Sequence, residues 1–181
     1  MSEDPQHVDQ HVDQHVDPDA AAAAFEGVAA GVAVASTRWR GLDHAITVTS
    51  FTWVSREPPM LLVCVHEDAR FLDAVEGAGT WGLSLLPAGA RATAGWLATP
   101  GRPAVGQLDR VPHRTGAVTG APLLDGALES FECRTTAVHP AGDHVVVVGL
   151  VVGLGRSTAS SGGTGAEGPL VRFRRSYHAL A

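Results

Sequence analysis

Residues 44–65 read HAITVTSFTWVSREPPMLLVCV, and this stretch decides the architecture. From Ala45 to Ser55 it is rich in Thr, Val, Ser, Phe and Trp. Behind Pro58-Pro59, Met60 to Val65 is a short apolar run. β-Branched and aromatic residues bounded by a proline pair favour extended chain, so two strands are expected here. Upstream, Gly31 to Arg38 is a third short apolar run. Downstream come a helix at Arg70 to Ala78 with Phe71, Leu72 and Val75 on one side, a strand at Trp81 to Leu86 and a brief helix at Arg91 to Ala98. Pro103, Pro112 and Pro122 punctuate a loop from Gly101 to Gly126.

From Glu129 to Val138 the residues alternate, with Phe131, Cys133, Thr135 and Ala137 on one face and Glu132, Arg134 and Thr136 on the other. That pattern predicts a half-buried antiparallel strand. Pro140-Ala141-Gly142-Asp143 makes a turn, and Val145 to Leu154 returns as a continuously apolar strand. Such a strand needs cover on both faces, a barrel interior on one and, most simply, a dimer partner on the other. Leu170 to Leu180 is expected as a last strand. Strands without regular strand–helix alternation point to an antiparallel barrel rather than a doubly wound sheet. The lack of a GxGxxG after a strand, and of any GxxxxGK[ST], CxxC or HExxH, agrees.

The chain has 181 residues, 45% hydrophobic and 18% charged, which suits one packed domain, expected over residues 19–181. Six of the 19 acids fall within the first 19 residues and none of the basic ones do, so this tail carries the whole net charge of −6. The body is formally neutral, without lysine, and lacks the basic excess that phosphates of nucleic acid or an anionic membrane would need. Residues 6–17 repeat Gln-His-Val-Asp three times. His7, His11 and His15 would share a helical face, yet an acidic, aromatic-free tail over residues 1–18 is expected to be disordered, with no metal site. A Gly/Ser/Thr-rich flexible loop is expected at 155–168. A helix is expected to open at Pro18-Asp19 and run through Phe25 and Val28 until Gly27 and Gly31 end it. Cys64 and Cys133 read as small buried hydrophobes, one disulfide being the other option. With no signal peptide and no apolar run near the ~20 residues a membrane helix needs, a cytoplasmic protein is expected. The four tryptophans read as packing residues.

The quoted stretch resembles the flavin reductase family with the FMN-binding split barrel, whose members carry a segment close to GxTxSSFxSVSxxPPLxxxC. Further matching pieces follow in order: Pro122-Leu123-Leu124-Asp125-Gly126 with Glu132-Cys133, Ala141-Gly142-Asp143-His144, and Phe173-Arg174-Arg175-Ser176-Tyr177-His178. The resemblance implies a mainly β fold, a six-stranded antiparallel Greek-key split barrel with a few short helices, usually a homodimer. It also implies reduction of FMN or FAD by NADH or NADPH, the reduced flavin passing to a separate flavin-dependent monooxygenase. A second class of function keeps the same barrel as a non-catalytic module for FMN, haem or another planar ligand; the Gly142-Asp143-His144 turn favours the enzyme.

A flavin ring is an apolar plate rimmed by carbonyls and nitrogens, so it needs backbone donors and small side chains that permit close approach. Thr47, Val48, Thr49 and Ser50 would supply both, although by composition alone they are simply good strand formers. Family position puts Cys64, His66 and Arg70 at the strand end leading into the Arg70 helix, whose N-terminus can receive an anion. Arg70 is the expected phosphate partner. Asp68-Ala69 stands where many members carry Ser or Thr, so loosely held, exchangeable flavin is expected. Arg102 and Tyr177 are further candidates for flavin or nicotinamide phosphates. His144 is the expected catalytic residue, orienting the nicotinamide, because hydride transfer needs ring planes in contact and no protein base. Asp143 is expected to fix the turn.

Overall fold

The computed structural model describes residues 16–156 and 168–180; residues 1–15, with the three histidines of the repeat, and residues 157–167 of the expected loop lie outside the described residues. Helix α1 (Pro18–Phe25) starts behind Asp17, whose carboxylate accepts from the N–H groups of Asp19 and Ala20 at 2.8 and 3.4 Å. A short acceptor side chain before a proline in the first turn is what a helix start requires. The helix stops short of the expected Val28, just before Gly27.

The strands follow as β1 (Ala30–Gly31), β2 (Ala33–Trp39), β3 (Leu42–Val48), β4 (Phe51–Arg56) and β5 (Pro59–His66). Then come α2 (Arg70–Ala78), β6 (Thr80–Leu85), α3 (Arg91–Ala98), β7 (His113–Thr115) and β8 (Pro122–Leu124). The chain closes with β9 (Glu129–Ala141), β10 (His144–Arg156), β11 (Leu170–Phe173) and β12 (Ser176–Ala179). Two corrections concern strands expected to be continuous. The one over 45–55 breaks at Thr49-Ser50. The last one is a hairpin, because Arg174 and Arg175 adopt φ of 46° and 61° and form a two-residue turn. Inside the expected loop, β7 and β8 pair with each other.

The main sheet is antiparallel with strand order β3-β2-β6-β9-β10-β5-β4. Its two edge strands, β3 and β4, are consecutive in the chain and joined by only Thr49 and Ser50. Two residues reach less than about 10 Å, so the sheet has to roll until its edges meet. The Cys64 N–H donating to Ser50 O at 2.8 Å carries the β4–β5 ladder up to the bend. The expected antiparallel split-barrel class holds, while the main sheet has seven strands where six were expected, because the strand over 45–55 is bent into β3 and β4.

Alternate residues of the strands fill the interior: Ala33 and Ala35, Val48, Leu61, Val63 and Val65, Trp81 and Leu83, Cys133 and Val147, with Phe71, Leu72 and Val75 of α2 packed among them. Gly149 makes room for Trp81, since a Cβ there would sit 2.7 Å from the indole and 2.9 Å from Cys133 Cβ. A second core, with Val32, Val34, Ala45, Ala94, Leu97 and Leu170, lies between the outer face of β2 and β3, α3 and the β11–β12 hairpin.

Trp81 is the packing residue expected of the tryptophans, whereas Trp53 and Trp96 are half exposed. Glu132 departs from its expected solvated face. It is 3% exposed, because residues 116–121 fold over it and donate the N–H of Val118 at 3.0 Å and the N–H and hydroxyl of Thr119 at 2.6 and 2.7 Å. Strand β10 is buried inward at Val147, while Val146, Val148, Leu150 and Val152 are only partly covered within one chain and Leu154 is exposed. Both cysteines are free.

Candidate active site

Three segments distant in sequence enclose a cleft of about 440 Å³: His44, Ala45 and Ile46 of β3, the β5–α2 turn from His66 to Phe71, and residues 98–102 with Gln107. The wall formed by 98–107 is tied to the open edge of β3 at one residue. Gln107 Oε1 accepts from the Ala45 N–H at 3.2 Å, and Arg102 Nη2 donates to Ala45 O. The wall thereby satisfies edge-strand groups that a further strand would otherwise take. Arg102 also donates through Nη1 to Thr99 O at 2.9 Å, and its carbonyl accepts from Arg70 Nη2.

Positive charge dominates the lining. Arg70 opens α2, which has no side-chain cap, so charge and free helix N–H groups favour an anion together. The one acid lining the cleft, Asp68, has a side chain 90% exposed. Nearby Asp43 is occupied by Arg38 at 2.7 Å and by His113 at 3.5 Å. Burial, then the charge of Arg70, lowers the Arg102 guanidinium below its usual range; the same two causes, in the same order, lower the His44 imidazole, partly opposed by Asp43.

Among the described residues, four buried side-chain polar atoms lack a partner, and two of them, His44 Nε2 and Arg102 Nε, belong to residues that line this cleft. Leaving such atoms unpaired costs about 1–3 kcal/mol each. Their coincidence in one cationic cleft fits a ligand bearing acceptor oxygens, as the phosphate and carbonyls of a flavin do.

At the sheet end beside His66 stands His144, opposite it in the β5–β10 register, with ring centroids 5.3 Å apart. Gly142, at φ 68°, turns the chain there. His144 Nδ1 donates to Asp143 Oδ1 at 2.7 Å, and this bond, then the charges of His144 and His66, holds the Asp143 carboxyl below the ordinary carboxylate range.

Of the residues expected from the sequence, His66, Arg70 and Arg102 line the cleft, and His144 adjoins it through His66. Thr47 directs its hydroxyl to Ala94 O at 2.8 Å, so that group is engaged by α3. Val48 points into the barrel core. Thr49 and Ser50 form the bend between β3 and β4, and Cys64 is half buried on β5. Tyr177 packs on the second core with the Arg172 guanidinium 5.9 Å over its ring; it does not line the cleft. Sequence reasoning missed His44, Gln107 and the bond from His144 to Asp143. His44 heads the stretch quoted at the outset and could have been noticed there; Gln107 lies in an irregular segment that gives no signal.

The signature of the flavin reductase like domain matches residues 25–181. Over 155 residues the chain is 37% identical to the reductase component of 4-hydroxyphenylacetate 3-monooxygenase from Thermus thermophilus, covering 84% of this chain and 89% of that one. It is 36% identical over 133 residues to an NADH-dependent FAD reductase from Streptomyces globisporus, covering 73% and 71%. Among solved structures, the flavin reductase component of a bacterial two-component tryptophan halogenase superposes with a TM-score of 0.81 at 34% identity, over 91% of this chain and 98% of that one. An NADH:FAD oxidoreductase from Streptomyces globisporus, in complex with NAD and FAD fragments, gives 0.80 at 28% identity over 93% of this chain and 97% of that one.

Proposed function

The chain belongs to the flavin reductase family, and from that premise we propose that the cleft between β3, the β5–α2 turn and residues 98–107 is where it holds FMN or FAD for reduction by NADH or NADPH. The protein is an NAD(P)H-dependent flavin reductase. Relatives named as reductases favour this over a non-catalytic module. The observation that carries the site assignment is the pair of unpaired buried nitrogens, His44 Nε2 and Arg102 Nε, in a cleft whose charge is supplied by Arg70 and Arg102. Bound flavin supplies an N5 that accepts a hydride from nicotinamide C4. The chain's own part is to hold the two ring planes in contact and neutralise the phosphate.

In this reading Arg70, Arg102 and the α2 N-terminus take the phosphate, while Ile46 and the β3 backbone lie along the ring. His144, steadied by Asp143, orients the nicotinamide. The arginines already bond carbonyls of their own chain, which suits flavin that exchanges. The reduced product goes to a separate flavin-dependent monooxygenase. A second copy of the chain is placed on the half-covered outer face of β10, an assignment checked by the mass of the protein in solution. Two unpaired thiols and a reduced nicotinamide substrate suit the cytoplasm. The deciding assay follows NADH absorbance in the presence and absence of FMN or FAD. Loss of NADH that requires flavin is expected; its absence with the purified, folded protein would reject the enzyme.

A further inference from the structure

The paired strands put His66 directly opposite His144, and the two rings meet edge to face, with planes at 69°. Each ring is also tied to its own turn. The Asp68 N–H donates to His66 Nδ1 at 3.2 Å, which ties that ring to the β5–α2 turn. On the other strand His144 spends Nδ1 on Asp143, so Nε2 is its remaining hydrogen-bonding atom.

Both histidines stand at an exposed sheet end, with side chains 48% and 43% accessible. Asp143 is more open still, at 75%. A single bond to so exposed a carboxylate competes with water and fixes a ring poorly. A cross-strand aromatic contact adds a second restraint from the opposite strand.

We propose that His66 is a positioning residue for His144: tied by the Asp68 N–H, its ring packs edge to face on the His144 imidazole as a second restraint beside the Asp143 bond, so that His144 Nε2 meets the nicotinamide in one orientation. The proposal rests on His144 acting at the nicotinamide. It reassigns His66, expected from sequence to contact flavin, to the hydride donor's side of the site.

The test uses four proteins: His66→Ala, His66→Phe, His144→Ala and the double variant His66→Ala/His144→Ala. His66→Ala is expected to raise the KM for NADH about 3- to 10-fold, the scale of one aromatic pair contact, with kcat changed less than about twofold and the Kd for FMN, whose cleft His66 also lines, raised less than the KM for NADH. His66→Phe keeps a ring without the nitrogens and recovers most of the loss. In the double variant His66→Ala adds nothing to His144→Ala, since the first acts only through the second.

A readout without flavin or turnover accompanies these. The Asp143 carboxyl, titrated by carbon NMR in flavin-free protein, moves up toward its ordinary range in His144→Ala and in His66→Ala, and returns only in part in His66→Phe, which restores the ring against His144 but not the charge of His66. A rise in the Kd for FMN with unchanged NADH kinetics would make His66 a flavin ligand and overturn the proposal, as would additive losses in the double variant. If His144→Ala itself leaves the KM for NADH unchanged, the role given to His144 fails. If only His66→Ala does so, His66 alone is misassigned.

Discussion

Replacing Arg102 by methionine separates the two tasks assigned to this side chain. In the folded protein its guanidinium donates to Ala45 O and, at 2.9 Å, to Thr99 O, which docks residues 98–107 on β3, while Nε has no partner. Methionine removes both bonds, and hydrogen bonds from a charged donor of this kind are worth about 1.5–3 kcal/mol net each. The wall loosens and any flavin is held less well. If Arg102 also meets the phosphate, a charge-assisted hydrogen bond worth about 1.5–3 kcal/mol goes as well. That second loss falls on FMN and not on riboflavin, which has the same ring and ribityl chain without phosphate.

The expected result is therefore a ratio. In Arg102→Met the Kd for FMN rises about 10- to 150-fold more than the Kd for riboflavin, both read by quenching of flavin fluorescence on titration with flavin-free protein. Arg102→Lys keeps the charge without the fork and falls between. Equal weakening of the two ligands would refute the phosphate role and leave Arg102 as a tether of the wall.

Glu132→Gln sets an amide donor against the N–H groups of Val118 and Thr119 and removes a charge that three donors satisfy; a loss of about 2–4 kcal/mol in chemical denaturation is expected, and a change under about 0.5 kcal/mol would show that the carboxylate is not what holds residues 116–121. His44 is lowered by burial and by Arg70, so the unfolded chain takes up its proton first as the solution is acidified. The stability His44 contributes is complete above about pH 6.5 and is lost as pH falls through its folded value. Melting temperatures from pH 7 to pH 5 should fall less steeply in His44→Gln than in the parent, and parallel slopes would remove His44 as a cause. Burial, with a smaller effect of Glu132, pushes the Cys133 thiol up to about 12. At pH 8 roughly one molecule in ten thousand carries the thiolate, so native protein should resist iodoacetamide at Cys133, and rapid labelling there, read by peptide mass, would contradict the packed core.

Much of the fold was legible because its signals are local. Proline, glycine and the period of apolar side chains marked α2 and α3 to the residue and β9 and β10 to within a few residues. The errors also share a cause. Continuous β texture over 45–55 and 170–180 hides a bend at Thr49-Ser50 and a turn at Arg174-Arg175, neither made with glycine or proline. Glu132 was placed in solvent because alternation tells which face a residue occupies, not what later covers that face. In the site, Arg70 and His66 could be read from their place after a recognisable strand. His44 and Gln107 acquire meaning only through Ala45 and Arg102, more than 50 positions away from one another along the chain.

Family, strand content and the identity of the charged groups were thus present in the linear order of residues, since each depends on neighbours a few positions apart. Which hydroxyl is consumed by a helix, which nitrogen is left unpaired and which two imidazoles touch required the rolled sheet. Those facts depend on strands brought into register by closure of the barrel, and no short-range pattern encodes the distance between them.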